Sequence, residues 1–172
     1  MPSRRQACAF SLLEVVIAVA IFASGVAVLV ALLPSTLQRS ADSVDTLTAL
    51  RLPDSIKAEL QHIGGSDLMG NVGSRLAPPG GSTDLKLRLV AARSGDDVRE
   101  LGSETPTPRD RYFLVELYQF SSGQLAYNPS SAFLAINVRV SWPYQVLAPD
   151  ALTGVVPLEN RSQVTFNVAL NR

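Results

Sequence analysis

The chain has 172 residues, 47% of them apolar and 17% charged, and its 15 basic and 15 acidic side chains cancel. Balanced charge, with Arg far outnumbering Lys, leaves no basic footprint for nucleic acid, and a single cysteine, Cys8, excludes an internal disulfide. Beside its apolar N-terminal run the chain is long enough for one compact domain and too short for two comfortable ones.

Arg4 and Arg5 form a short basic leader with no acid before Glu14, so the positive-inside bias keeps the N-terminus cytoplasmic and sends the rest across. Ser3-Arg4-Arg5 is also a weak match to a twin-arginine signal, which the following residues do not continue. Cys8 precedes the apolar run, where no lipoprotein cleavage site would place it. From Val15 to Leu33 there are 19 residues without a charge, which as a helix span roughly 28 Å, enough to cross a bilayer core. An ordinary secretory signal has an apolar core of about 7 to 15 residues. This one is longer and carries Glu14 at its head, where a carboxylate deep in a membrane helix costs on the order of 2.5 to 3.5 kcal/mol. Glu14 therefore asks for an opposite charge.

Ala9-Phe10-Ser11-Leu12-Leu13-Glu14 resembles the type IV prepilin signature shared by pilins, minor pilins and type II secretion pseudopilins, and the resemblance covers about Arg4 to Leu37. In that family a small residue, usually Gly, precedes the cut, Phe is the usual new N-terminus, and Glu follows four residues later. Here Ala9 stands in the place of Gly. The resemblance implies cleavage after Ala9 by a prepilin peptidase, methylation of the new Phe10 amine, and Glu14 as an assembly contact with other pilin or pseudopilin subunits. It divides the chain into a leader (1–9), a transmembrane helix (10–34) and an exported domain (35–172). It places the protein in the inner membrane, single-pass, with its C-terminal domain periplasmic or extracellular and open to extraction into a filament. Some family members at filament tips lack the acid, so Glu14 suits a subunit that adds beneath a tip. Short patterns, Leu32-Leu33-Pro34, the Tyr112 strand with its Gly turn, and Val138-Arg139-Val140 before Trp142-Pro143, are similar to the prepilin-like Verru_Chthon cassette proteins.

Past Leu33 the helix is expected to continue as an amphipathic half, with Leu37, Val44, Leu47, Ile56, Leu60 and Ile63 on one face and Gln38, Arg39, Asp42, Asp45 and Arg51 between them. Pro34 should loosen it near Val30, Pro53-Asp54 reads as a break and restart, and Gly64-Gly65 ends it. A spine from Phe10 to Ile63 would be on the order of 80 Å long. The stretch from Gly64 to Asp84, rich in glycine and holding Pro78-Pro79, reads as a long surface loop.

Alternation then predicts strands. Leu85, Leu87 and Leu89 oppose Lys86 and Arg88; Leu134, Ile136, Val138, Val140 and Trp142 oppose Ala135, Asn137, Arg139 and Ser141; Val164, Phe166, Val168 and Leu170 oppose Thr165, Asn167, Ala169 and Asn171. Each has one wet face. Tyr112 to Phe120 is apolar on both faces apart from Glu116 and Gln119, which suits a central strand; Ser121-Ser122-Gly123 is a turn and Pro143 closes the strand before it. One helix followed by strands means α+β, an antiparallel sheet laid on the amphipathic half of a long N-terminal helix.

The residues carry little chemistry of their own. His62 stands alone near a helix end and reads as a cap or surface residue. Asp96-Asp97 reads as a solvated turn, and the segment Ala148 to Arg161 offers only Asp150 and Glu159 where major pseudopilins bind calcium through an acidic loop. No P-loop, metal cluster or serine-hydrolase motif is present, and Trp142 reads as core. The expectation is a non-enzymatic structural subunit of a type IV pilus-like or pseudopilus filament, without cofactor or metal. The alternative class is a membrane-anchored periplasmic binding module that keeps its N-terminal segment as an uncleaved anchor; an intact mature N-terminus would mark it.

Overall fold

The computed structural model describes residues 12–78, 87–147 and 153–171, and the chain divides into two compact units, Met1–Ser43 and Val44–Arg172. One helix, α1 (Leu12–Gly64), contributes to both. In the first unit its run from Val15 to Leu33 carries no charge on any side, and every side chain described there is exposed. That pattern belongs to a helix whose surroundings are not water.

In the second unit α1 turns amphipathic. Its buried stripe is Asp45, Ala49, Leu52, Ile56 and Leu60, with Ile63 partly buried behind it. This corrects the expected face: Leu37, Val44 and Leu47 are exposed. Nine residues separate Leu47 from Ile56, which at 3.6 residues per turn places them about 180° apart. The expected break is also absent, because α1 runs through Pro34 and Pro53 without interruption. An interior proline costs roughly 3 kcal/mol, and burial of Leu52, Ile56 and Leu60, each stabilising by about 1.5 to 3 kcal/mol, outweighs it at Pro53. The helix ends where expected. Gly65 takes the left-handed conformation (φ +52°) and its N–H donates to the Gln61 carbonyl at 2.9 Å.

The next stretch is more ordered than a surface loop. Helix α2 (Leu68–Asn71) is capped by Asp67, whose carboxylate accepts from the Gly70 N–H at 2.9 Å, and a 3-10 turn (Gly73–Arg75) follows. Leu68, Met69, Val72, Leu76 and Ala77 are buried. Their spacing follows no single period because two short turns share the work, so periodicity alone missed them. Residues 79–84 of the expected loop lie outside the described residues, as do Leu85 and Lys86.

The main sheet contains β1 (Arg88–Ala91), β2 (Val98–Glu100), β3 (Phe113–Gln119), β4 (Phe133–Trp142) and β7 (Ser162–Asn171). Its order is β2-β1-β3-β4-β7 and every pairing is antiparallel. Three of the four expected strands are present as β3, β4 and β7, with β3 in the centre as its two apolar faces require. The strand expected over Leu85–Leu89 is corrected to β1 at Arg88–Ala91, which Leu87 precedes outside any strand and whose Val90 is buried on the face expected to be wet. Two features were not legible: the short β2, and a separate hairpin of β5 (Gln145–Leu147) and β6 (Thr153–Val155). One face of the sheet sends Leu89, Phe113, Val115, Ile136, Val138 and Val168 into the core with the α1 stripe. Trp142 is in that core as expected, its ring 5.8 Å from Phe113. Val90, Leu114 and Ser141 point the other way and are also buried. At that end Arg161 donates to the Val156 carbonyl (2.7 Å) and Ser141 Oγ (3.4 Å) and lies over the Tyr144 ring.

Candidate functional site

Glu14 lies in the first turn of α1 and is exposed. The helix dipole favours an acid in a first turn, and its neighbours along the same surface are Val15, Ala18, Val19 and Phe22. The carboxylate is therefore the polar point of an apolar surface. Ala9 and Phe10, the expected cleavage and methylation positions, lie outside the described residues.

Beyond Glu14 the helix contains an 18-residue window of mean hydropathy 2.9, none of it buried, so α1 is long and apolar enough to cross a membrane. Its hydroxyls turn inward on their own backbone: Ser24 donates to the Ala20 carbonyl at 2.7 Å, Ser35 to Leu32 and Thr36 to Leu33 at 2.9 Å each. Such back-bonding satisfies polar groups without water. Ser35 and Thr36 follow Pro34, which lacks the N–H that would have bonded the Val30 carbonyl.

The second unit adds a contact that sequence reasoning missed. Asp45, 3% exposed, is the first buried residue of α1 among those whose side chains are described. Arg93 grips it with a fork, Nε to Oδ1 and Nη2 to Oδ2 at 3.0 Å each, and the Tyr112 hydroxyl donates to Oδ2 at 2.5 Å. Arg93 also lies over the Tyr112 ring, 4.8 Å from its centroid. The hydrogen bond to Asp45 holds the Arg93 guanidinium above its ordinary pKa. Arg93 is carried by the β1–β2 turn, which approaches the helix so closely that a Cβ on Gly95 (φ +81°) would stand 2.9 Å from Thr48 Cγ2. Asp45 is four residues before Ala49 on the buried stripe; an acid at such a position demands a cation, and that was the available signal.

Further charges sit in pairs. Arg99 bonds Glu59 at 3.0 Å and Asp97 at 3.2 Å, Arg75 pairs with Glu100, and Arg139 bonds Glu116 at 2.8 Å and the Tyr118 hydroxyl. Burial, and then the Glu116 charge, push the Tyr118 hydroxyl above its ordinary pKa. His62 is exposed at the helix end and lines a shallow groove with Ala58, Glu59, Asp96, Val98 and Arg99. Asp96-Asp97 forms part of the β1–β2 turn, Glu159 is exposed in a 3-10 turn (Leu158–Asn160), and Asp150 lies outside the described residues. Among the described residues no three His, Cys, Asp or Glu side chains gather at metal-binding distance.

A family model, the prokaryotic N-terminal methylation motif, matches residues 4–31. The chain thus carries the type IV prepilin signature. No curated protein and no solved structure matches the chain. The motif supports a type IV pilin-like or pseudopilin-like precursor and implies processing by prepilin peptidase and assembly with other pilins. With the apolar α1 it is consistent with a membrane-anchored, single-pass protein.

Proposed function

We propose that this chain is a non-enzymatic structural subunit of a type IV pilus-like or type II secretion pseudopilus filament, anchored in the inner membrane with its domain outside. A prepilin peptidase cuts after Ala9 and methylates the Phe10 amine. The observation that carries this reading is the methylation motif at residues 4–31 joined to an α1 whose apolar surface finds no cover among the described residues.

Cleavage creates the charge Glu14 lacks. The α-amine has a reference pKa of about 7.7 to 8.0, and methylation leaves it basic. An ionised carboxylate in a low-dielectric surround is stable only beside an opposite charge. Glu14 pairs with the Phe10 amine of an adjacent subunit, so that the pair fixes the stagger of neighbouring helices, as a single buried polar residue fixes register in a coiled coil.

Intact-mass measurement after co-expression with a prepilin peptidase tests the processing step. The mature chain is expected to lack Met1–Ala9 and to carry one methyl group on Phe10. Retention of Met1, or a cut beyond Leu33, contradicts it. Ala9→Gly is expected to be processed at least as fast as the natural chain.

A further inference from the structure

Two asparagines in the chain are followed two positions on by a serine: Asn128-Pro129-Ser130 and Asn160-Arg161-Ser162. An Asn-x-Ser triplet with any middle residue but proline is the acceptor pattern for N-linked sugars. The asparagine carboxamide supplies the nitrogen, and the hydroxyl of the third residue is needed to hold the triplet in the transferase. Local chemistry separates the two. Pro129 fixes the middle φ and takes away its N–H, and the Asn128 carboxamide is folded onto its own backbone, its Oδ1 accepting from the Ser130 N–H at 2.9 Å.

The second triplet is presented to solvent. Pro157, Leu158, Glu159 and Asn160 are all exposed, and Asn160 closes the 3-10 turn. Arg161 is extended (φ −104°, ψ 139°), so the side chains before and after it leave the backbone on the side opposite its own. The Arg161 side chain turns inward, to the Val156 carbonyl, Ser141 Oγ and the Tyr144 ring. Asn160 and Ser162 are exposed, and among the described residues no hydrogen bond engages either side chain. Arg161 therefore fastens the triplet by its middle residue and leaves the two residues that react and recognise facing outward.

We infer that Asn160 is an acceptor for an N-linked glycan, with a polyprenyl-diphosphate-linked sugar as the donor. In the transfer the Asn160 amide nitrogen bonds to C1 of the sugar and the bond from C1 to the diphosphate oxygen breaks. The polyprenyl diphosphate leaves, and the amide gives up one proton to a base of the transferase. The turn is open, so a bulky sugar displaces no packing, and it stands beside Leu158, an exposed apolar side chain of the same turn. Such donors are used on the outer side of the membrane, so modification in a cell rests on the exported domain of the proposed function; the reactivity of Asn160 itself does not.

The test uses the purified full chain in detergent micelles with a single-subunit oligosaccharyltransferase and its lipid-linked donor, read by intact mass and peptide mapping. One glycan is expected, on Asn160 of the folded chain. Asn160→Gln, which keeps an exposed amide, and Ser162→Ala, which removes only an exposed hydroxyl, should each abolish it at an unchanged unfolding midpoint. Ser162→Thr should retain it. Absence of the glycan, a glycan on Asn128 instead, modification only after denaturation, or modification that survives Asn160→Gln overturns the inference. A chain that accepts the sugar when purified, but not in cells whose transferase faces outward from the inner membrane, would contradict the exported placement of the domain and leave Asn160 standing as the acceptor.

Discussion

Helix α1 has two stretches with opposite fates. From Leu12 to Val44 no described side chain is buried, although this is the most apolar part of the protein; from Asp45 on, a more polar sequence buries a full stripe. Apolar content shows that a segment leaves water. It does not show for what. The second stretch finds its cover in its own sheet, while the first finds none among the described residues, and a surface of that size is stable only against lipid or other helices.

The comparison can be broken most severely at the docked stripe. Ile56→Ala or Leu52→Ala removes a side chain buried among Phe113, Val115 and their neighbours and is expected to destabilise the domain by about 2 to 5 kcal/mol, seen as a lower denaturant midpoint. Val19→Ala or Leu29→Ala, exposed in the first stretch, should move that midpoint by no more than about 0.5 kcal/mol. Equal effects at the two sites would contradict the division.

The Asp45 contact comes next. Arg93→Ala leaves a buried carboxylate with only the Tyr112 hydroxyl, and about 1 to 3 kcal/mol should be lost. Asp45→Asn should cost less, because Arg93 is more than half exposed and can be solvated. The reverse ranking would mean that the pair does not hold the helix to the β1–β2 turn.

Tyr118 gives a smaller, pH-dependent effect. Its folded-state pKa lies above the ordinary value near 10, so the folded chain holds the proton longer than the unfolded one. The stability this contributes is complete below the unfolded pKa and is lost as pH rises through the folded one. Tyr118→Phe should flatten that alkaline loss in a series of unfolding curves, and an unchanged slope would discount Tyr118 as its source. The smallest expected effect is from deletion. A chain beginning at Ser35 keeps the whole docked stripe and should unfold at the same midpoint as the full chain, without metal. A disordered far-ultraviolet spectrum would show that the first stretch is needed for folding.

The legible parts were those with a single strong period. The run from Val15 to Leu33, the alternation in β3, β4 and β7, and the glycine stop at Gly65 each declare themselves within a few residues. The helix face was misread because Leu47 and Ile56 each fit an i, i+3, i+4 series but not the same one. The three residues of β2 and the short β5–β6 hairpin are held by pairing, which local sequence does not display. At the candidate site Glu14 was legible as an acid out of place. Asp45 was not, because its partners Arg93 and Tyr112 are 48 and 67 residues away.

The most direct test of the filament role is the fate of Glu14→Gln. The variant should insert into the membrane at least as well as the natural chain, since a costly charge has gone, and its domain should unfold at the same midpoint. With cleavage verified separately by intact mass, its recovery in sheared or crosslinked assemblies beside natural subunits should fall strongly. Recovery equal to that of the natural chain would contradict Glu14 as the contact through which subunits assemble.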